Sequence, residues 1–379
     1  MRYISLFCIC CLLFTSCKED KGLTRKLPSL ELKKEALKYA EGFSIIDHET
    51  YKEIIVTSPW PKSQDTCHYI LIKDGQKTPK HLDADAIIQL PVKKVVAMST
   101  TNIPSLEYLN VDTTLVGFPN TKYISSEKTR QRVDNGDIKD LNNDLDLNME
   151  LLIDLQPDVV IGFSVNGNNK VLNQIEKFKI PVVLDGAWTE KHPLGRAEWI
   201  KFIAVFFGKE KKADSIFNTI ETNYLNAKQL ALHTENRPVV FSGSMFKDIW
   251  NIPGGKSFVA KYLEDANTEY LWKDNNDNGS LQLNFENVLH KAQKAELWIG
   301  AGSYQTKSQM LEQYKGYTYF EAYKTNEVYT YTKKIGPKGG LLYYELGPLR
   351  PDLILKDIIN IAHPNTLPNY DNFFFKRLD

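Results

Sequence analysis

The chain has 379 residues, with 47 basic and 47 acidic side chains, 42% hydrophobic residues and 11% aromatic residues. Because the charges balance, there is no electrostatic footprint for a nucleic-acid partner, and we exclude that class of protein. This length and hydrophobic content exceed one ordinary domain and are sufficient for two hydrophobic cores.

Residues 1–16 have the pattern of a signal peptide. Arg2 supplies a positive start, and the apolar run of about a dozen residues that follows is too short to span a bilayer. Residues 13–17, Leu-Phe-Thr-Ser-Cys, resemble a bacterial lipobox, in which the cysteine is diacylated. Cys17 is therefore the predicted lipidation site, anchoring the chain in the cell envelope, and residues 17–30 are the predicted lipidated tether. An ordinary signal peptide that contains cysteine is the alternative.

Cysteine usage agrees with this interpretation. Four of the five cysteines lie in or at the end of the signal segment, so Cys67 is the only thiol of the remaining chain. An intrachain disulfide is then impossible in the mature protein. No Cys-His signature surrounds Cys67, which favours a structural role over a nucleophilic one.

Residues 31–92 are predicted to be an N-terminal β-rich extension. Short runs of β-branched and aromatic residues are separated by Asp, Gly and Pro clusters, which is typical of an antiparallel meander. The clearest runs are 43–46, 53–56 and 69–72.

From residue 93 onward, short strands of buried type alternate with helical segments. This alternation is typical of βαβ units and predicts an α/β fold in which each of two lobes has a mainly parallel sheet flanked by helices. The predicted N-terminal lobe, 93–193, has strands at 94–99, 115–117, 157–162 and 180–184 and helices at 103–109, 149–155 and 170–178.

A helical stretch, 194–234, separates the two predicted lobes. It is interrupted at Gly208, and apolar residues fall on one face of its second part. A helix of some twenty residues is about 30 Å long, so this part is predicted to be a long rigid linking helix. The predicted C-terminal lobe, 235–379, has strands at 238–242, 295–300 and 328–331 and helices at 257–263, 285–292 and 352–361.

Three sequence signatures lie within this framework. The first is Asn148-Met149-Glu150, followed by Leu-Gln-Pro-Asp-Val-Val-Ile at 155–161. Its counterpart in the second lobe is Asn284-Phe285-Glu286, followed by Ala-Glu-Leu-Trp-Ile at 295–299. The third is Gly-Pro-Leu-Arg-Pro-Asp-Leu-Ile-Leu at 347–355, which leads to His363-Pro364.

Together the signatures resemble the metal-chelate binding proteins of ABC importers, which carry ferric siderophores, haem or cobalamin. The likeness runs from about residue 94 to residue 364. It implies two lobes joined by one rigid helix, with little closing motion, and a binding function without enzymatic activity. It also implies a monomer whose partners are an ABC permease with its ATPase subunits. The ligand would be an iron complex, haem or a corrinoid, with no covalent cofactor.

The resemblance assigns a docking role to two glutamates. In the family, matching glutamates project from the lobe tips and pair with arginines of the permease. The positions that match are Glu150 and Glu286. The alternative is a favourable interaction of each carboxylate with the dipole of the helix that it begins.

Ligands of open α/β sheets lie beyond the carboxyl ends of the strands, which identifies candidate binding residues without homology. The turn Thr100-Thr101-Asn102 offers hydroxyls and backbone N–H groups at a helix start, either as an anion cradle or as a plain helix cap. Three aromatic residues in loops could form walls for a flat chelate, or pack between the lobes. They are Trp188, Trp250 and Tyr304.

Two cationic residues are further candidates. Lys338 lies in a Gly-Pro-Lys-Gly-Gly loop that lacks the frame of a nucleotide P-loop and is predicted to form a mobile edge of the cleft. Arg350 is predicted either to clamp an anionic group in the cleft or to pair near the final helix, which has Asp352 in its first turn.

The histidines form no i,i+4 pair and no His/Cys cluster, so no site for a bare metal ion is predicted. Three tyrosines remain candidate axial ligands of haem. They are Tyr123, Tyr304 and Tyr344.

Two other functions stay open. Lys18-Glu19-Asp20 directly after Cys17 resembles a surface-export tag, which would make the chain a surface lipoprotein that hands its ligand to an outer-membrane transporter. The second open function is an extracytoplasmic enzyme with a two-lobed cleft. Gly243-Ser244 lacks the second glycine of a nucleophile elbow, which argues against an enzyme.

Overall fold

The structure is a computed structural model that describes residues 33–79 and 82–379. The predicted signal segment, the tether and Cys17 lie outside the described residues. The first sheet is built by the N-terminal extension and has the strand order β1-β2-β3-β4-β5. Its strands are β1 (Lys33–Lys34), β2 (Phe43–Asp47), β3 (Tyr51–Val56), β4 (Cys67–Ile72) and β5 (Ala86–Gln89).

The predicted antiparallel meander is correct for β1 to β4, whereas β5 runs parallel to β4. A parallel neighbour cannot be reached through a tight hairpin. The long connection between these strands therefore returns the chain to the end of the sheet at which β4 begins.

The N-terminal lobe has a parallel sheet in the order β12-β11-β6-β7-β8. Strands β6, β11 and β12 are wholly buried, as expected for a sheet covered on both faces. Its elements are β6 (Val95–Ala97), α1 (Asn102–Tyr108), β7 (Leu115–Phe118), α2 (Glu127–Asp134), β8 (Lys139–Asp140), β9 (Asn142–Asn143), β10 (Asp146–Leu147), α3 (Met149–Leu155), β11 (Val159–Gly162), α4 (Lys170–Lys177) and β12 (Val182–Leu184). Short 3-10 turns occur at Asp112–Thr114, Thr121–Tyr123 and Ala187–Thr189.

Three helices join the lobes: α5 (Pro193–Glu198), α6 (Ile200–Val205) and α7 (Glu210–Leu232). Gly208 has a φ of +62°, which ends the preceding helical segment and separates it from α7. The predicted long helix is thus α7, with 23 residues and a length of about 34 Å. It buries an i,i+3/i+4 stripe and packs against α6 on one side and the final helix on the other.

The C-terminal lobe has the sheet order β16-β13-β18-β19-β20, parallel except for β20, and a separate antiparallel sheet of β14, β15 and β17. Its elements are β13 (Val239–Phe241), β14 (Ser244–Phe246), β15 (Ile249–Pro253), α8 (Phe258–Asp265), β16 (Glu269–Tyr270), β17 (Ser280–Leu283), α9 (Phe285–Ala292), β18 (Leu297–Ile299), α10 (Lys307–Gln313), α11 (Glu321–Lys324), β19 (Val328–Thr330), α12 (Leu342–Leu346), α13 (Pro351–Ala362) and β20 (Lys376–Arg377). A 3-10 turn spans Lys315–Tyr319.

This architecture confirms the predicted fold class: two α/β lobes, a long connecting helix and an N-terminal β meander. One continuous hydrophobic core runs through both lobes and the extension. None of the helices in the described part of the chain combines the length and the apolar character that a bilayer span requires.

Two buried carboxylates attach the extension to the N-terminal lobe. Glu198 accepts hydrogen bonds from the backbone N–H groups of residues 38–40 at 2.8 to 3.0 Å. Glu190 accepts from the N–H groups of residues 41 and 42 and from the Trp199 indole at 2.9 to 3.2 Å. The ring of Phe43 then packs on Trp199, with 4.6 Å between centroids. The extension is therefore fixed on the lobe by the segment that connects β1 to β2.

Candidate functional site

The carboxyl ends of β6, β7 and β11 open on a cavity of about 420 Å³ between the lobes, which we call the tyrosine cavity. Tyr123 of the N-terminal lobe and Tyr344 of the C-terminal lobe both line it, and each is 52% exposed. Thr100, Phe118 and Phe163 cover its N-terminal side. The cavity thus lies where ligands of open α/β sheets bind, with aromatic side chains from both lobes.

A second cavity of about 540 Å³, the tryptophan cavity, lies where the extension meets both lobes. Trp60 of the extension, Trp188 of the N-terminal lobe and Phe258 of α8 all line it. The indole Nε1 of Trp188 is buried and has no hydrogen-bond partner in the described chain. A buried polar donor without a partner is costly, so this N–H group is an unfavourable feature of the fold.

Arg196 lies at the junction of the lobes, beside the tryptophan cavity. Its guanidinium carbon is 4.2 Å from the centroid of the Phe258 ring, and its Nε atom is buried without a hydrogen-bond partner. Among residues 33–79 and 82–379, its side chain makes neither an ion pair nor a hydrogen bond. Burial lowers the pKa of Arg196, and the nearby Asp185 carboxylate offsets that effect only in part. An unpaired half-buried cation is energetically unfavourable in the fold and suited to an anionic ligand.

Asp185 directs its carboxylate at the N-terminal lobe. It accepts from the Asn102 side chain at 2.6 Å and from the N–H group of Ala187 at 2.8 Å. Burial raises the pKa of Asp185, whereas these two hydrogen bonds and the Arg196 charge act in the opposite direction. The carboxylate thus has its own partners and leaves the Arg196 guanidinium unpaired.

Glu345 of α12 ties the two lobes together beside the tyrosine cavity. It is 1% exposed and accepts from the backbone N–H groups of Ser125 and Ser126, both at 2.7 Å, at the start of α2. The pKa of Glu345 is raised to about 7, because burial and the nearby Glu107 carboxylate raise it by more than the two N–H groups lower it. Glu127, Lys333 and Lys334 line the adjacent 620 Å³ groove.

This contact predicts a pH-dependent stability. Because the folded-state pKa of about 7 exceeds the ordinary value of 4.5, the folded state retains a proton that the unfolded state releases as the pH rises between these values. The stability of the wild type relative to Glu345→Gln is therefore expected to fall by on the order of 3 kcal/mol across that window, and to stay level above it. Urea unfolding of both proteins at several pH values measures this difference. A pH-independent difference would contradict the assignment, and Glu321→Gln, at an exposed position, is the control.

The turn at residues 100–102 is not the anion cradle that the sequence suggests. The N–H groups of Thr101, Asn102 and Ile103 already donate to Ser99 and Thr100 within the turn. The Thr101 hydroxyl bonds to Ser99, and α1 has no side-chain cap. Asn102 is buried against Asp185. The turn therefore forms neither the anion cradle nor the side-chain helix cap that the sequence suggested. Of the three residues, Thr100 lines the tyrosine cavity.

The three aromatic residues predicted to line the cleft lie in different environments. Trp188 lines the tryptophan cavity, whereas Trp250 is 0% exposed among Phe241, Trp298 and Phe320 in the core of the C-terminal lobe. The prediction that Trp250 contacts ligand is wrong, because β15 turns this side chain inward. Tyr304 packs toward Tyr317 and lines neither cavity. It is therefore not placed to bind the iron of a haem in either cavity.

The two predicted cations also differ. Arg350 forms a bidentate pair with Asp352, with both distances 2.8 Å, and donates to the Tyr108 hydroxyl at 2.9 Å, which is the structural alternative. Lys338 is exposed beside the glycines that line the tyrosine cavity. Its loop is closed by hydrogen bonds between Gly336 and residues 339 and 340, and it packs on Tyr123. That this loop is a mobile edge of the cleft stays a prediction.

Glu150 and Glu286 occupy equivalent, exposed positions in the first turns of α3 and α9. Each helix precedes a strand and runs antiparallel to it, so its first turn lies toward the cleft edge of the sheet. Neither glutamate pairs with a cation within the part of the chain that the structure describes. Within residues 33–79 and 82–379, no three His, Cys, Asp or Glu side chains are grouped so that they could hold a metal ion.

Comparisons with known proteins agree with this geometry. Residues 95–335 match the family model described as periplasmic binding protein. An uncharacterised lipoprotein of Methanocaldococcus jannaschii is 27% identical over 366 residues, a match that covers 89% of this chain and 84% of that protein.

Among solved structures, a periplasmic haem-binding protein of Pseudomonas aeruginosa superposes with a TM-score of 0.59 at 16% identity, over 76% of this chain and 98% of that one. A possible iron-binding periplasmic solute-binding protein of Staphylococcus epidermidis superposes with a TM-score of 0.57 at 19% identity, over 72% of this chain and 99% of that one. At these identities the likeness shows a shared fold.

Proposed function

Since this chain belongs to the periplasmic binding protein family, we propose that it is an extracytoplasmic solute-binding protein that captures an anionic metal chelate between its lobes and delivers it to an ABC permease. The observation that carries the proposal is Arg196, a half-buried guanidinium at the lobe junction without a carboxylate partner in the described chain. A chelate with carboxylate or catecholate oxygens would supply that partner.

The aromatic side chains support a flat or apolar organic ligand. Tyr123 and Tyr344 are exposed and line the tyrosine cavity, on segments that follow sheet strands. If the chelate is haem, Tyr123 and Tyr344 are the candidates for the oxygen ligand to its iron. Burial raises the pKa of Tyr344, which opposes formation of a phenolate and favours Tyr123.

A panel of probes tests the proposal. Purified protein is titrated with haemin, cyanocobalamin, a ferric tris-catecholate, a ferric trihydroxamate, Zn²⁺ and Mn²⁺, and binding is followed by tryptophan fluorescence and calorimetry. We expect one chelate to bind with micromolar or tighter affinity and the bare ions not to bind. Tight binding of a bare ion alone would contradict the proposal. So would the failure of every chelate to bind.

Lipid anchoring through Cys17 is part of the proposal and rests on the lipobox-like residues 13–17. The lipoprotein of M. jannaschii supports it. Cys17→Ser is expected to release the protein from the membrane fraction, because the acylated thiol is lost. Fractionation of cells that express each form measures this, and equal membrane retention would rule out the anchor.

Permease docking through Glu150 and Glu286 is the remaining part. The double variant Glu150→Ala/Glu286→Ala is expected to bind chelate as wild type does, because both carboxylates are exposed at the helix starts. Its uptake should fall, since an interfacial ion pair that loses one partner costs about 2–5 kcal/mol. Binding by purified protein and uptake by cells are measured together.

Glu321→Ala is the matched control, because Glu321 also begins a helix at an exposed position. It removes the same helix-dipole interaction and should leave uptake unchanged. Normal uptake by the double variant would exclude docking through these residues, and loss of chelate binding would place them in the cleft.

A further inference from the structure

The tryptophan cavity has a wall that lies outside the matched family region. Its residues 58–63 belong to the connection between β3 and β4, whereas the family match begins at residue 95. Residues 95–379 are 285 of the 379 residues. The M. jannaschii match covers 89% of this chain, which is more than those residues, so it includes part of the extension. The extension is therefore shared with at least one relative.

This wall is fitted to the N-terminal lobe at two glycines. A Cβ atom at Gly167 would lie 2.9 Å from the Trp60 ring, and one at Gly186 would lie 2.9 Å from the Ser58 carbonyl oxygen. The Thr189 hydroxyl donates to the same carbonyl at 3.2 Å. Trp60 is thereby placed against the lobe, half-buried, with part of its ring open to the cavity.

The opposite wall belongs to the C-terminal lobe. Phe258 and Val259 begin α8 there, and the segment 278–280 borders the cavity beyond them. A Cβ atom at Gly279 would meet no atom within 4 Å, so this side is open space. With about 540 Å³, the cavity can accommodate an organic ring system.

The polar groups at the cavity carry charges of both signs. Lys62, Lys191 and Glu41 line it with exposed side chains, and the buried Glu190 lines it as well. The positive and negative side chains balance, so the lining does not select an anion. The aromatic walls are what the cavity offers a ligand, and they suit a planar aromatic group.

We propose that the tryptophan cavity is a subsite for an aromatic group of the ligand, and that Trp60 of the extension is a specificity-determining residue. The inference rests on the proposed function and deepens it. Selectivity would then depend on a residue outside the matched family region. Aliphatic chelates would gain nothing from this subsite.

Gly279 provides the first test. The probe is 8-anilinonaphthalene-1-sulfonate, a planar aromatic anion whose fluorescence rises on binding, titrated into wild type, Gly279→Ala and Gly279→Phe. Both substitutions enter open space, so both proteins should fold, and the alanine variant should bind the probe as wild type does. Gly279→Phe is expected to weaken binding at least tenfold, because it places an aromatic ring at a position that lines the cavity. Equal binding by the phenylalanine variant would overturn the subsite.

Trp60 provides the second test. Trp60→Ala is expected to weaken binding of the sulfonate probe, and of haemin or the ferric tris-catecholate if either binds, by about tenfold. Affinity for the aliphatic ferric trihydroxamate should change by less than about twofold. The control is Phe178→Ala, which removes an exposed aromatic ring at the end of α4, away from the cavity.

The outcomes separate the two proposals. If no chelate binds wild type while the sulfonate probe responds to Gly279→Phe and Trp60→Ala, the proposed function fails and the aromatic subsite stands. If a chelate binds and neither variant changes any affinity, the subsite fails and the proposed function stands. Should Trp60→Ala not fold, the Gly279 pair decides alone.

Discussion

Replacing Arg196 with methionine is expected to weaken binding of an anionic chelate by about 10- to 150-fold, since a hydrogen bond to a charged group contributes about 1.5–3 kcal/mol. The free energy of unfolding should stay within about 1 kcal/mol of wild type or rise, because an unpaired buried charge is replaced by an apolar chain of similar length. The substitution also removes the favourable stacking of the guanidinium on the Phe258 ring. Affinity is measured by calorimetry and stability by urea unfolding.

Arg350→Met is the matched control and should show the opposite behaviour. Its guanidinium pairs with Asp352, which is 0% exposed, so its loss should cost about 3–5 kcal/mol of stability and leave chelate affinity unchanged. If Arg196→Met instead destabilises the protein as strongly and binds normally, Arg196 has a structural partner. The anion anchor would then have to be found elsewhere.

Local patterns predicted the elements well. Helices α3 and α9 have the predicted bounds, because each begins with an asparagine cap that the sequence displays. Asn148 accepts from the N–H group of Leu151 at 3.0 Å, and Asn284 from that of Asn287 at 2.9 Å. Alternation of such helices with short apolar strands was sufficient to predict two parallel sheets.

The site was predicted less well, because burial decides which side chains are available. Arg196 lies in the last turn of α5 and Arg350 directly precedes α13. No local pattern distinguishes the arginine that pairs with a carboxylate from the one that does not. Trp250 and Trp60 likewise both lie in or beside β-rich segments, yet the first is in the core and the second lines a cavity. These outcomes depend on contacts between residues far apart in sequence.

The placement of the extension shows the same limitation. Its strands could be predicted from β-branched and aromatic runs, but its docking depends on Glu190 and Glu198, about 150 residues away. A glutamate in a helical stretch ordinarily predicts an exposed side chain. Here each carboxylate is buried because it accepts several N–H groups from one irregular segment.

Glu198→Ala is expected to lower the free energy of unfolding by about 3–5 kcal/mol. The carboxylate is 0% exposed, accepts from the N–H groups of Lys38, Tyr39 and Ala40, and lies 3.1 Å from the Lys201 ammonium. Alanine would leave these N–H groups without an acceptor in a water-poor site, and Lys201 would retain only Asp214. Urea unfolding measures the loss.

Glu221→Ala is the control, because Glu221 contacts the same segment through the Lys38 ammonium and the Tyr39 hydroxyl at a more exposed position. Its loss should cost no more than about 1 kcal/mol. Since residues 41 and 42 line the tryptophan cavity, release of this segment in Glu198→Ala should also increase amide hydrogen exchange across residues 38–63. Similar stabilities for the two variants would mean that the hydrophobic contacts of the extension, rather than the Glu198 carboxylate, hold it on the lobe.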